Sequence, residues 1–377
     1  MILTLLAVFI LSLGQAEQRF TPVEGATLQA RQEAAARAAS SAGQSRYWTA
    51  YSFDVRPGVA VDVDYVSDDG HIAVQGTWAP DSSVFRLDPS VETRSLAVFL
   101  LRDSQAGGSP VRVEVYNLAR RHEYSGYPVY WLGRASNEES LGLLRQLAEG
   151  AAARSQDLAA DAVGAIALHD DRRVAEVLAA VARSQMPSDV RARAVRALGQ
   201  PRPEPGTREV LAALARDERE PSDLRRAAVS AYSRARDAQA LTFLQGLYDA
   251  VQAQDLKRSA LNGIARNEGR AGAAAFVIRV AAGDPDGDLR KQARQLLGEM
   301  AGEQALGGAA PRGDADTELQ KQAVVAVSRR PAAESVPLLI GVARTHQKPE
   351  VRRQALVLLG RTDDPAAFEY LKSVVVK

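Results

Sequence analysis

Cysteine is absent from the 377 residues. That excludes disulfide staples, thiolate metal sites, a cysteine nucleophile and a lipidated N-terminal cysteine. Histidine is scarce: His71, His122, His169 and His346 show no HExxH or other ligand spacing. No G-x-S-x-G, Walker or G-x-G-x-x-G pattern occurs either. The expectation is no catalytic site, no metal and no cofactor. An excess of one charge sign is also missing. Lys and Arg number 47 against 46 Asp and Glu, a net charge of +1, which excludes a strongly basic nucleic-acid binder by composition. Hydrophobic residues at 46% and charged residues at 25% are ordinary globular values. They exclude wholesale disorder and a polytopic membrane protein.

One long apolar run is present. Ile2 to Leu13 reads ILTLLAVFILSL, and Gly14-Gln15-Ala16 follows as a small-x-small pattern before Glu17. Residues 1–16 therefore read as a signal peptide, and the mature chain is expected in the periplasm or secreted. The run is too short for a bilayer core of about 30 Å. No Lys or Arg precedes it, so an uncleaved N-terminal anchor is the alternative.

Composition shifts near residue 135. Trp48, Trp78, Trp131 and seven of the ten tyrosines fall between 47 and 131, a stretch without lysine. Beyond it the chain is rich in Ala, Leu and Arg. The early region alternates: Val59, Val61, Val63 and Tyr65 against Ala60, Asp62, Asp64 and Val66, the period of a half-buried strand. Trp48–Val55, His71–Trp78, Arg94–Leu101 and Val111–Leu118 read alike, separated by turn signals such as Arg56-Pro57-Gly58. Residues 47–135 are thus expected to form a small antiparallel β-sandwich or barrel. Residues 17–46 precede it, with a helix at Leu28–Ser40. Ser136-x-x-Glu139 is a capping box that opens the helical region 136–377.

That region repeats. Acids recur at Asp157, Asp189, Asp223, Asp255, Asp288, Glu318 and Glu350, spaced 30 to 34 residues apart. After the acid come Leu or Val, then usually Arg or Lys. Ala and further Leu, Val or Ile follow at helical spacing. Each acid sits at a helix start, where it favours the dipole and can cap N–H groups. Gly199, Gly298 and Gly360 end copies, as residues after a helix should. Pro187, Pro221, Pro285 and Pro349 break the chain just before the acids. Upstream of five motifs lies another apolar helix: Val174–Ala182, Val210–Ala215, Leu241–Tyr248, Ala274–Ala281 and Val336–Ala343. Each unit is a helical hairpin whose stripes bury only by stacking. The glycines and proline between residues 301 and 317 predict a loop there, a sixth repeat without its first helix, and Pro365–Val376 adds a capping helix.

This pattern resembles the HEAT repeat, in the short bacterial form also seen in phycobilin lyases, over about residues 138–377. The resemblance implies a right-handed all-α superhelical solenoid with its concave face lined by second helices. It implies binding or scaffolding rather than a reaction. The region before residue 135 resembles no recognised family.

Candidate sites follow. Arg226, Arg258, Lys291, Lys321 and Arg353 each lie three residues after an acid, so stacking would align them as a partner-binding stripe. The plainer reading is a local i,i+3 pair with that acid. Arg191 and Arg225, two residues after, are placed to bridge neighbouring repeats. Tyr124, Tyr127, Tyr130 and Trp131 could form an aromatic surface for sugar or peptide, or fill the sheet core. Asp62, Asp64, Asp68 and Asp69 suggest a cation site but read more simply as an acidic strand face and turn. The function expected is an exported protein–protein interaction scaffold. The alternative is binding of a glycan or anionic polymer through the β region or the basic stripe.

Overall fold

The alternating and helical patterns map onto a computed structural model that describes residues 20–59, 76–78, 85–87, 95–120, 122–199, 206–306 and 315–376. The leader, the four-aspartate cluster, His71 and most of the run from 59 to 66 lie outside these residues, as do residues 307–314. The chain divides into two units, residues 1–76 with 87–198, and residues 77–86 with 199–377. The composition shift near residue 135 falls inside the first.

In the first unit, strands β1 (Thr21–Pro22), β2 (Arg46–Ser52), β5 (Leu96–Asp103), β6 (Pro110–Asn117) and β7 (Val129–Arg134) form one sheet in the order β1-β7-β2-β5-β6. Two further strands, β3 (Gly76–Trp78) and β4 (Phe85–Leu87), pair with each other. The five-stranded sheet is open and mixed, which corrects the expected antiparallel sandwich or barrel. β2 and β6 run antiparallel to β5, whereas β7 runs parallel to β2 and to β1. The cause is topological. β6 is already an edge, so the chain returns past the sheet and adds β7 to the free side of β2. A second sheet is not needed, because one face is covered by helix α1 (Leu28–Ser41). Leu28, Ala35 and Ala39 of that helix are buried. Thr27 caps α1, accepting the Ala30 N–H at 3.1 Å.

Helices α2 (Asn137–Ala151) and α3 (Gln156–Ile166) follow, then α4 (Arg173–Ala182) and α5 (Ser188–Leu198). The capping box forms as the sequence demands: Ser136 Oγ accepts the Glu139 N–H, and Glu139 accepts the Ser136 N–H. Glu139 also accepts the Leu28 N–H at 2.8 Å, so one carboxylate caps two helices. Those backbone donors, Leu28 first, hold its carboxyl below the usual range.

The second unit contains α6 (Thr207–Arg216), α7 (Ser222–Ser233), α8 (Ala238–Ala250), α9 (Gln254–Ala265), α10 (Arg270–Gly283), α11 (Gly287–Leu306), α12 (Ala315–Ser328), α13 (Ala332–Thr345), α14 (Pro349–Leu359) and α15 (Pro365–Val375). The recurring acids lie in the first turns of the second helices. The glycines after them are not left-handed caps: Gly199, Gly263, Gly298 and Gly360 are absent from the positive-φ residues. Their role is close approach. A Cβ on Gly199 would lie 2.8 Å from Ala231 Cα, and one on Gly263 would lie 2.7 Å from Ser233 Cβ.

Two departures from regular stacking follow. α11 has 20 residues where α7 and α9 have 12, so residues 301–306 of the expected 301–317 loop are helix. α14 then packs along α11 in the opposite direction. Arg294 pairs with Asp363, Gly298 meets Gly360, Gly302 meets Arg353 and Val357, and Arg352 donates to the Ala305 carbonyl. Successive second helices earlier in this unit run parallel, with Ser233 at the end of α7 beside Gly263 near the end of α9. α15 also packs on α11.

Candidate interaction surface

The bases after each acid have two roles, and they are the reverse of the expected ones. The residue two positions on turns back within its own hairpin. Arg191 Nε donates to the Ala182 carbonyl at 2.9 Å and Arg225 Nε to Ala215 at 3.2 Å. Arg290 donates to Asp284 at 2.6 Å and Arg352 to His346 at 2.8 Å. Each carbonyl ends the preceding first helix, where unsatisfied acceptors and the negative dipole end favour a cation. Lys257, in the same register, instead lies over the Tyr248 ring at 5.1 Å.

The residue three positions on reaches the next repeat. Arg226 pairs with Asp255 at 3.5 Å and Arg258 with Asp288 at 3.3 Å. Gln292 extends the link, donating to Asn262 at 3.0 Å. Lys321 alone follows the expected i,i+3 geometry, 2.7 Å from Glu318. Lys291 and Arg353 are exposed and form no ion pair among the described residues. Lys291 ends the ladder because the acid that would continue it, Glu318, belongs to a helix that does not stack on α11. Arg226, Arg258 and Lys291 therefore share one register on α7, α9 and α11. Lys321 and Arg353 stand outside that series.

The four aromatics divide between the two faces of the sheet. Tyr130 is buried on the helix-covered face, edge-on to Tyr47 at 5.5 Å. Trp131 lies on the opposite face, stacked on Phe20 at 5.7 Å. Tyr124 stacks on Phe99 at 5.0 Å, and its carbonyl accepts the Trp48 indole N–H at 2.9 Å. Tyr124, Tyr127 and Trp131 are half-buried against Trp48, Ala50, Ala97 and Phe99. The structure does not bring the four onto one surface.

The first unit also contains a polar chain that the sequence did not announce. Tyr51, Ser140 and His169 are almost fully buried. His169 Nδ1 lies 3.0 Å from the Ala165 carbonyl, which can only accept, so Nδ1 carries the proton. Nε2 then accepts the Ser140 hydroxyl at 2.7 Å, and Ser140 Oγ accepts from Tyr51, 3.0 Å away. Burial lowers the His169 pKa to about 4 and raises that of Tyr51. Phe53 stacks on the imidazole at 4.1 Å. The serine–histidine contact is sealed from substrate. Asn137 completes the junction, accepting the Asp54 N–H and donating to the Asp170 carbonyl.

Among the described residues, no group of three or more His, Asp or Glu side chains could hold a metal ion, and no helix is long and apolar enough to cross a membrane. Residues 175–265 and 309–377 match the family model of HEAT repeats. The hairpins within these two stretches are similar to HEAT repeats, which in general form protein-interaction scaffolds. No curated protein matches the chain.

Proposed function

We propose that this chain is an exported, non-catalytic scaffold that binds another protein through the second helices of its HEAT repeats. The observation that carries the reading is the ladder of Arg226–Asp255 and Arg258–Asp288 pairs. It holds exposed polar side chains of α7, α9 and α11 in one register and leaves Lys291 open at its end. Such a surface is preorganised, which lowers the ordering cost of binding. Its charges alternate in sign, which favours a partner with matching local charges over a uniformly anionic polymer. Export rests on the apolar run at Ile2–Leu13 and the small residues after it.

The test is affinity capture from a native envelope extract with the full chain, in parallel with a triple variant carrying Arg226→Glu, Arg258→Glu and Lys291→Glu. Loss of a discrete protein from the variant, and salt-sensitive capture by the parent, is the expected result. Equal capture by both rules out this surface. Retention of polysaccharide without protein favours the anionic-polymer reading. The N-terminal residue of the mature protein, read by mass spectrometry, tests export: Glu17 is expected.

A further inference from the structure

The hairpins α6–α7, α8–α9, α10–α11 and α13–α14 each lay a first helix on a second one. Those first helices have 10 to 14 residues. α12 opens on the same acid motif, Glu318-Leu319, yet only residues 307–314 separate it from α11. That interval is too short for such a helix and its two turns.

The loss shows at the motif positions that the stack otherwise buries. Leu224, Leu256, Leu289 and Val351, next to the acid, are at most 1% exposed, and the alanine four residues on is 0% exposed in each of these copies. Leu319 is 66% exposed, and Ala323 and Ala326 are exposed as well. α12 is turned so that Thr317 and Val324 are buried instead, with Thr317 accepting from Lys348 Nζ at the start of α14 at 3.0 Å. At about 100° per residue, Leu319, Ala323 and Ala326 share one face, and Thr317 and Val324 lie on the opposite one. A lone exposed leucine is ordinary on a protein surface. Here the exposed residues are the apolar stripe of a repeat whose covering helix is missing.

Glu318 and Arg329 flank that stripe on one side, about 16 Å apart along the axis. Glu318 is half-exposed; Lys321 holds one of its oxygens at 2.7 Å, and the other has no partner among the described residues. Arg329 is exposed and forms no ion pair among the described residues. Arg330 and Glu334, exposed beyond it and of opposite sign, form none either.

We propose that this face receives α12 of a second copy of the chain, antiparallel and related by a two-fold axis near Ala323. The pairing supplies what the repeat lost, since the helices of a hairpin are antiparallel. Leu319 packs beside the second copy's Ala326, where a small side chain leaves room for it. Glu318 comes level with the second copy's Arg329 on the same flank, and symmetry forms each contact twice. A parallel arrangement would set Glu318 against Glu318 and Arg329 against Arg329, so charge decides the sense. One helix face is a small contact, and the dimer is expected to be weak, forming at micromolar concentration or above. It lies apart from the ladder on α7, α9 and α11 and does not rest on the scaffold reading.

The experiment is sedimentation equilibrium of the purified full chain from micromolar to millimolar concentration, with native mass spectrometry. The variants are Leu319→Asp, Glu318→Arg and Arg329→Glu, all at exposed positions, with thermal unfolding to confirm the fold. The parent is expected to dimerise reversibly, and each variant alone at least about tenfold more weakly. Mixing Glu318→Arg with Arg329→Glu rebuilds both opposite-charge contacts across one heterodimer, so the mixture should recover about the parent affinity as a one-to-one species. A parent that stays monomeric to millimolar concentration overturns the proposal. So does a dimer indifferent to Leu319→Asp, or a mixture that associates no better than its components. Envelope capture that depends on Leu319 while the parent is monomeric assigns the face to a different protein and also overturns it. The triple variant at Arg226, Arg258 and Lys291 should dimerise like the parent; its failure to do so would place the contact on the ladder and overturn the α12 assignment.

Discussion

A serine hydroxyl 2.7 Å from a histidine nitrogen would suggest a nucleophile in an open cleft; at Ser140 it is an internal tether. Ser140→Ala leaves Tyr51 and His169 Nε2 without their shared partner, at a cost of about 1–3 kcal/mol. Urea unfolding at pH 7.5 measures it. The histidine also makes a pH prediction. It titrates near 6.5 when unfolded and near 4 when folded. Between those values the unfolded chain binds a proton that the folded chain refuses. The neutral imidazole's contribution is therefore full above about pH 6.5 and is lost as pH falls toward 4, by about 3 kcal/mol in total. Stability measured at pH 7.5 and 4.5 should fall less in His169→Gln than in the parent. An unchanged difference would assign the acid sensitivity to other groups. Arginine two residues after the acid and arginine three residues after it look alike in sequence. Only the hairpin separates them: the first meets the spent end of the preceding helix, the second faces the next repeat.

At the scale of elements, the seven acids and the apolar stripes made the hairpins legible, because a helix that cannot bury its face alone must repeat. The strands at β2, β5 and β6 were legible from their period. β7 was not: six residues with aromatics on both faces read as a cluster rather than a strand. Its parallel pairing depends on a return across the sheet that local pattern does not encode. Residues 301–306 were read as loop because the glycines and proline beyond them colour the whole stretch. The reversal of α14 was also hidden, since it depends on glycines that approach from residues 62 positions apart. A Cβ on Gly298 would lie 2.8 Å from Gly360 Cα and from the Leu356 carbonyl. Gly298→Val should separate α11 from α14, costing about 1–3 kcal/mol as an overpacked core position does. Hydrogen exchange should quicken in α14 and α15, with α7 and α9 little changed; uniform acceleration across all four would place the contact in the common core instead.

For the molecule as a whole, the near-equality of acids and bases has a local origin, since caps and cross-repeat pairs use the two signs together. The ladder pairs are roughly half-exposed, Arg226 at 50% and Asp255 at 41%, so each contributes less than about 1 kcal/mol. Stability should rest on the buried Ala, Leu and Val of the stack. The urea midpoint is expected to shift little between 50 and 500 mM NaCl, both far enough apart in screening length to weaken surface pairs. A loss of several kcal/mol would show that the ladder, rather than the core, holds the repeats together.

The antiparallel α14 also bears on growth. A pile of like-oriented hairpins ends in a face that accepts another of its kind, the head-to-tail contact from which open filaments arise. On α11 that face meets a helix of the opposite sense, held at Gly298 and Gly360 where only hydrogen fits. The array is terminated by polarity, and a neighbouring molecule cannot lengthen it there without first prising its own last helices away.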